Sequence, residues 1–209
     1  MPGHGHSHGG GSCEHDHDPV DNLATSYNLY QKVDIANVQC LNEVTDGSGK
    51  KVFKAWSDRA DRTHFVESDA DEELLFKIPF TGSVKLRGVL IIGGEEGTHP
   101  KCMRLYKNRP NMTFDETGSV PDQEFELTRD EVGVVEYNTK AAKFNNVSQL
   151  CIHFPSNYGD DSTKVYYIGL KGDFMQAHRE EIVIVNYELN ANPADHKSIL
   201  PDAANHSVS

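Results

Sequence analysis

Cysteine is scarce in this chain, and its few cysteines are too far apart for paired chemistry. Four occur in 209 residues, at positions 13, 40, 102 and 151. A dithiol redox motif or a cysteine-based zinc site needs two cysteines a few residues apart. Thioredoxin-type chemistry is therefore excluded. Cys40 and Cys151 lie in apolar runs and are predicted to be buried, reduced thiols.

Long apolar runs are also absent. No segment approaches the roughly 20 apolar residues that span a bilayer. Residues 1–18 contain Gly, His and Asp where a secretion signal requires an apolar core, and Pro2 stands where N-myristoylation requires Gly. These absences predict an intracellular protein without a membrane anchor, located in the cytoplasm, with the nucleus as a second candidate compartment.

Basic residues are the minority among the charges. Lys and Arg number 20 against 32 Asp and Glu, which gives a net charge of -12. A surface of this sign repels phosphate backbones and anionic headgroups. We therefore expect neither nucleic acid nor a membrane surface as a partner.

Catalytic and nucleotide-binding motifs are missing as well. The chain has no G-x-S-x-G, no H-E-x-x-H and no H-x-E with P-C-x-x-C. The segment GSGK at 47–50 is not a P-loop, because Val44 replaces the first glycine and Lys51 replaces the Ser or Thr. In the glycine-rich segment 88–97, Glu95 and Glu96 would repel phosphates. We predict no enzyme activity and no cofactor.

The clearest positive signal is a period of two between residues 74 and 80. Even-numbered positions from Leu74 to Phe80 are apolar and form one face, whereas Leu75 and Lys77 belong to the face predicted to meet solvent. Thr81-Gly82-Ser83 reads as a turn, and a second apolar strand follows at 84–92. This segment is predicted to be an antiparallel hairpin.

The same reading finds further short strands along the chain. Eight strand-like runs are separated by turn residues, at 74–80, 84–92, 102–107, 123–127, 132–137, 147–154, 164–170 and 181–187. One helix is predicted, at 29–41. Short strands without intervening long helices favour an all-β fold, a β-sandwich of jelly-roll type. We assign residues 1–22 to a disordered Gly/His-rich tail, 23–190 to the sandwich and 191–209 to an extended tail.

Histidines are concentrated at the N-terminus. Within the first eighteen residues the imidazoles belong to His4, His6, His8, His15 and His17. Imidazole binds Zn, Cu and Ni, so this segment is either a metal-binding arm or a low-complexity tail that binds metal only incidentally. The interspersed Gly and Ser leave the ligands unorganised, which favours the second interpretation.

Candidate partner contacts come from an acidic turn, from interface-type residues and from the C-terminal tail. The turn at 68–73 is a solvated loop, a calcium site or a contact for a basic partner. Arg and Tyr near turns are enriched at interfaces. His153 is predicted to be partly exposed on a sheet face. The candidate contacts are Asp69, Asp71, Arg104, Tyr106, Arg109, Asp195, His196 and His206.

Several sequence blocks resemble the PITH domain family over about residues 22–196. They are CLNE at 40–43, FVESDADEELLFKIPFTGSVKLRG at 65–88, HPKCMRLYKN at 99–108, TKVYYIGLKGDF at 163–174 and NYELNANPADHK at 186–197. This module also follows thioredoxin in thioredoxin-like, proteasome-associated proteins.

The resemblance implies a galactose-binding-like jelly roll that associates with the regulatory particle of the 26S proteasome and has no activity of its own. It does not indicate which residues form the contact. We expect the isolated chain to be monomeric. Two alternatives stay open, a carbohydrate- or small-ligand-binding jelly roll and a metal-binding protein that uses the N-terminal histidines.

Overall fold

The computed structural model describes residues 27–175, and within that range the fold is all-β, with no α-helix. The eight strands are β1 (Gln39–Leu41), β2 (Val66–Glu67), β3 (Leu74–Gly93), β4 (Cys102–Lys107), β5 (Gln123–Glu126), β6 (Glu136–Asn138), β7 (Val147–Phe154) and β8 (Lys164–Met175). Two short 3-10 helices precede β1, at Tyr30–Lys32 and Ile35–Asn37, and four lie between strands, at Ser48–Val52, Trp56–Asp58, Glu96–Thr98 and Phe114–Glu116.

Strand β3 connects the two layers of the sandwich. Its first half pairs antiparallel with β1 and β7, and its second half, from Ser83, pairs with β8 and β6. The strands follow the order β2-β8-β3-β7-β4-β5, with β1 and β6 as additional partners of β3. The register with β7 shifts between Pro79 and Val84. At this irregularity β3 leaves one layer and enters the other.

The hairpin predicted at 81–83 is wrong, because β3 continues through it for 20 residues. Gly82 does not have the positive φ that a tight hairpin turn needs. Its missing side chain has another use, since a Cβ there would lie 2.8 Å from Cζ of Phe174. Gly82 thus allows the Phe174 ring of β8 to pack across β3.

The main core lies between the two layers. It contains apolar side chains from both halves of β3 and from β7 and β8, among them Phe76, Ile78, Leu86, Ile91, Ile152, Phe154 and Ile168. Phe53 and Phe154 both meet the Phe76 ring edge to face, with centroids 6.1 and 6.0 Å away. Burial of each such side chain contributes about 1.5–3 kcal/mol, so this core is the main source of stability.

Each layer also carries a smaller apolar cluster on its outer side. One consists of Leu75, Tyr106, Met112 and Cys151. The other consists of Ile92, Tyr166 and Tyr167, with Trp56 packed against it. The prediction that Leu75 meets solvent is therefore wrong. The segment that carries Met112 and Phe114 covers that face.

The helix predicted at 29–41 is also wrong. The segment forms two 3-10 turns and then β1. Besides the local bonds of these turns, its backbone bonds to the sheet, since Val33 forms a bridge with Phe80 and the Asp34 amide donates to the Pro79 carbonyl at 2.9 Å. Tertiary pairing thus overrides a weak local preference.

The remaining strands agree well with the sequence pattern. Strands β4 and β7 have the predicted bounds, β5 ends one residue early, and β8 extends to Met175. The run at 132–137 is a strand only from Glu136, because a loop precedes it. The predicted strand at 181–187 and the two predicted tails lie outside the described residues.

Candidate interaction surface

The acidic turn is tied to the end of β1 by Asn42. The Asn42 amide nitrogen donates to the Asp71 carboxylate at 2.8 Å and to the Glu73 carbonyl at 2.7 Å. Its amide oxygen accepts the Ala70 backbone N–H at 3.0 Å. Asp69 and Asp71 are exposed, but the Asp71 carboxylate is already engaged. Among residues 27–175 no cluster of His, Cys, Asp or Glu is arranged to hold a metal ion.

His153 lies beneath this turn and is buried. Its Nε2 lies 2.9 Å from a carboxylate oxygen of Glu73, and its Nδ1 is buried without a hydrogen-bond partner. Burial lowers the pKa of His153, although Glu73 favours the charged form. The ring is therefore neutral near pH 7 and donates Nε2–H to Glu73. The prediction of a partly exposed His153 is wrong, because the Phe114 ring packs against it, 6.2 Å between centroids.

Arg104, Tyr106 and Arg109 share this outer side of the first layer. Arg104 stands opposite His153 in the β4/β7 register, and its Nε donates to Glu124 on β5 at 2.7 Å. Tyr106 is fully buried and donates its hydroxyl to the Thr117 carbonyl at 2.8 Å, which corrects its interpretation as a surface contact. The guanidinium of Arg109 lies 4.9 Å from the centre of the Tyr106 ring.

The structure thus brings Asp71, Arg104, Tyr106 and Arg109 to one side of the sandwich, while their polar groups already have partners. Partner contact by Asp69, Asp71, Arg104 and Arg109 stays a prediction. The candidates in the C-terminal tail, Asp195, His196 and His206, lie outside the described residues. So do the N-terminal candidates for metal binding, His4, His6, His8, His15 and His17.

The opposite side of the sandwich carries a surface that the sequence patterns did not reveal. We call it the aromatic-arginine surface, and it consists of Trp56, Arg59, Arg62, Phe65 and Tyr166. The Arg59 guanidinium lies 4.0 Å from the Trp56 ring centre, and that of Arg62 lies 4.4 Å from Tyr166. Phe65 contacts Tyr166 edge to face with centroids 5.7 Å apart, and it is 38% exposed. Stacked Arg and aromatic side chains are the groups enriched at binding hot spots.

A loop held by Asp130 borders this surface. The buried Asp130 carboxylate accepts the backbone N–H groups of Val132, Gly133 and Val135 at 2.7–2.9 Å. Its own N–H donates to His99 Nε2 at 3.0 Å. Gly133 has φ +82°, a conformation that suits glycine, and a Cβ there would lie 3.0 Å from Ile92.

The same loop is joined to the surface by Arg62, which donates a hydrogen bond to the Glu131 carbonyl. It displays two apolar side chains to solvent, Val132 at 64% exposed and Val134 at 77%. In the sequence these valines resemble part of a strand. The signal that could have identified them as loop residues is the preceding Asp130, because an Asp side chain competes with strand pairing for backbone amides.

The thiols of the described range lack the properties of a nucleophile. Cys151 is buried, and burial raises its pKa to about 11. Burial also raises the pKa values of Cys40 and Cys102. All three thiols are protonated near pH 7, whereas catalysis requires a thiolate. No helix among the described residues is long and apolar enough to cross a membrane.

Fold and geometry define an antiparallel β-sandwich of the galactose-binding-like jelly-roll class. The CBM32-1 and CBM32-2 domains of Clostridium perfringens ZmpB in complex with GalNAc superimpose with a TM-score of 0.51, over 75% of this chain and 39% of theirs, at 9% identity. A structure with the M60 catalytic domain of ZmpB gives 0.52, over 76% and 16%, also at 9% identity. At this identity the likeness concerns the fold alone.

The family follows from the sequence comparisons. The PITH domain model matches residues 19–191. The human PITH domain-containing protein 1 is 54% identical over 197 residues, which are 93% of each chain. A PITH domain-containing protein of Drosophila melanogaster is 51% identical over the full length of both chains. The chain belongs to the PITH domain family, and the predicted family and fold class are confirmed.

Proposed function

We propose that this chain is a non-catalytic protein-binding module that docks on the regulatory particle of the 26S proteasome and modulates it, in the cytoplasm and the nucleus. The family supports the choice of partner through its resemblance to proteasome-associated proteins. The single observation that carries the binding mode is the aromatic-arginine surface with Val132 and Val134 at its edge.

The composition of this surface matches what protein interfaces use. Arg, Trp, Tyr and Phe are enriched at interface centres, and apolar side chains there gain free energy by leaving water. The Asp130 hydrogen bonds fix the loop before a partner arrives, so little ordering entropy opposes binding. On the opposite side, the apolar rings around His153 are covered by the chain's own segment, whereas Phe65, Val132 and Val134 are exposed here.

The experiment is affinity purification of the full-length protein from cell lysate, followed by mass spectrometry. The variant Val132→Asp/Val134→Asp places two charges on the proposed interface and replaces only side chains that are largely exposed. We expect recovery of regulatory-particle subunits with the parent protein and their loss, about tenfold or more, with this variant.

Val120→Asp is the matched control, since Val120 is an exposed valine at 85% in the loop before β5, outside the aromatic-arginine surface. It should retain full recovery. If the parent protein recovers no regulatory-particle subunits, the proposed partner is wrong. If both variants behave like the parent, the partner binds elsewhere.

Carbohydrate binding is not proposed. The likeness to the ZmpB domains concerns the fold, and folds of this kind carry many functions. A glycan array tests this alternative directly, and saturable binding at micromolar affinity would restore it.

A further inference from the structure

His99 is buried against the loop between β5 and β6, the loop that carries the exposed Val132 and Val134. It is 1% exposed and follows the short 3-10 helix Glu96–Thr98. Its Nε2 accepts the Asp130 backbone N–H at 3.0 Å, and the Asp130 carboxylate accepts three backbone N–H groups of the loop. A series of hydrogen bonds therefore connects the ring of His99 to the segment that holds both valines.

The two contacts of the ring fix the tautomer of His99. Its Nδ1 lies 2.7 Å from the Pro100 carbonyl oxygen. Because a carbonyl oxygen only accepts, Nδ1 carries the hydrogen. Nε2 in turn must present a lone pair to the Asp130 N–H. Both hydrogen bonds together require the neutral ring with its hydrogen on Nδ1.

The ring is held in place from two further sides. A Cβ at Gly93 would overlap the ring, so the ring packs directly on the backbone of β3. Tyr158, from the connection between β7 and β8, meets it edge to face with centroids 6.1 Å apart. The backbone N–H of Tyr158 also donates to the His99 carbonyl at 3.2 Å. The position of Nε2 is thus set by parts of the chain that are distant in sequence.

Two charged side chains in the described part of the chain act on His99, and both belong to the segment that contacts its Nε2. Asp130 favours the imidazolium and Arg129 opposes it, while burial is the strongest influence and lowers the pKa of His99. The other contacts are uncharged, since β3 contributes a glycine and Tyr158 donates its hydroxyl to the Leu127 carbonyl. The ring is therefore neutral near pH 7.

Protonation of His99 would replace the acceptor by a donor. The imidazolium carries a hydrogen on Nε2, which then points at the Asp130 N–H. The hydrogen bond is lost, and two donors face each other in a buried place. The Asp130 segment can relieve this contact only by moving away from the ring, and the loop amides that the Asp130 carboxylate holds move with it.

We propose that neutral His99 is a positioning residue for the aromatic-arginine surface, which holds Val132 and Val134 at the interface through Asp130 and releases them when it is protonated. The inference rests on the proposed function in treating these valines as part of the interface. It deepens that function, because it makes partner binding depend on the protonation state of a residue that the partner does not touch.

The first test needs no partner. Amide hydrogen exchange of the full-length protein, corrected for the intrinsic rates, is compared at about pH 7.5 and about pH 5.5, one unit on either side of the ordinary histidine pKa of about 6.5. An open loop frees the ring to bind a proton at that pKa. Protection of the amides at 132, 133 and 135 should therefore fall severalfold in acid, and at most about tenfold.

His99→Gln is the conservative variant, since a side-chain oxygen of Gln can accept the Asp130 N–H and does not titrate. It should keep the same protection at both pH values. His153→Gln is the matched control, because His153 is the other buried histidine and lies on the opposite side of the sandwich. Its loop should respond to pH as in the parent. Protection that is unchanged in the parent, or that falls equally in His99→Gln, would overturn the proposal.

The second test measures recovery of regulatory-particle subunits from lysate at the same two pH values. The ratio of recovery with His99→Gln to recovery with the parent cancels any titration of the partner. It should be near one at the higher pH and rise severalfold at the lower pH, whereas the ratio for His153→Gln should stay near one. A ratio for His99→Gln that stays at one while the loop loosens would also overturn the proposal.

The two proposals fail separately. If the parent recovers no regulatory-particle subunits at either pH, the proposed function is wrong, and the exchange of the loop amides still decides whether His99 holds the loop. Ring-nitrogen chemical shifts of His99 in the parent test the assigned tautomer directly, so the proposal stays open to contradiction even with a His99→Gln protein that does not fold. A hydrogen on Nε2 at neutral pH would overturn it.

Discussion

The two outer sides of the sandwich differ in how their apolar side chains are covered. Each layer presents apolar side chains outward, Leu75 and Tyr106 on one side and Ile92 and Tyr166 on the other. The first set is closed off by the chain's own segment, with Met112 at its centre. The second is bordered by stacked arginines and exposed valines. The first side therefore contributes mainly to stability, whereas the second leaves Phe65, Val132 and Val134 exposed at the proposed interface.

The largest expected effect comes from Leu75, on the closed side. Leu75→Ala removes a fully buried side chain and should lower the free energy of unfolding by about 2–5 kcal/mol. Val134→Ala, on the open side, should change it by less than about 0.5 kcal/mol. Urea denaturation of the two variants measures the difference. Similar values for both would mean that the two sides do not differ as described.

The next effect concerns the loop at the edge of the open side. Asp130→Ala removes the acceptor of three backbone N–H groups and should cost about 1–3 kcal/mol of unfolding free energy. Hydrogen exchange of the amides at 132, 133 and 135 should speed up in the variant. Asp130→Asn, which keeps one acceptor oxygen, should fall in between. Unchanged exchange at these amides would show that Asp130 does not hold the loop.

The buried histidines predict a pH dependence. Burial lowers the pKa values of His99 and His153, so the unfolded chain binds protons that the folded chain does not. As the pH is lowered below the unfolded pKa of about 6.5, the free energy of unfolding should decrease, by at most about 1.4 kcal/mol per pH unit for each histidine. Well above that pKa the two histidines should contribute no slope.

Denaturation curves between pH 7.5 and pH 5.5, values chosen to lie about one unit on either side of that pKa, check this expectation. His153→Gln can still donate a hydrogen bond to Glu73, and it should reduce the slope while leaving the contribution of His99. An unchanged slope in His153→Gln would show that His153 does not titrate differently on folding.

Much of the fold could be predicted from local patterns, and the errors have a common cause. Strands such as β7 are visible because their alternation and flanking turn residues agree. A period of two separates the two faces of a strand, and it predicts that Leu75 and His153 face solvent. It cannot predict that Met112 and Phe114, from another part of the chain, cover that face. Continuity of β3 through Gly82 depends likewise on a ring from β8.

The aromatic-arginine surface could not be predicted for the same reason. Trp56 and Phe65 precede β2, and Tyr166 comes from β8, about a hundred residues later, so their proximity depends on the sheet order. The acidic turn was easier to find, because its residues are adjacent in sequence. The sequence shows that acidic residues are dense in this turn. It does not show that Asn42 and His153 already form hydrogen bonds with several groups of the turn.

The smallest expected effect concerns the aromatic-arginine surface, and the fluorescence of Trp56, the single tryptophan of the chain, measures it. Arg59 stacks on Trp56 and donates a hydrogen bond to its carbonyl at 3.0 Å. Arg59→Ala should cost only about 0.5–1 kcal/mol, while the emission maximum of Trp56 should move to longer wavelength as water reaches the ring. Arg87→Ala, which removes an arginine from the ring of Tyr27, should leave that emission unchanged. Because the loss of stability is small, a fall in partner recovery with Arg59→Ala would report on binding itself. An unshifted Trp56 emission would mean that the guanidinium does not cover the ring in solution.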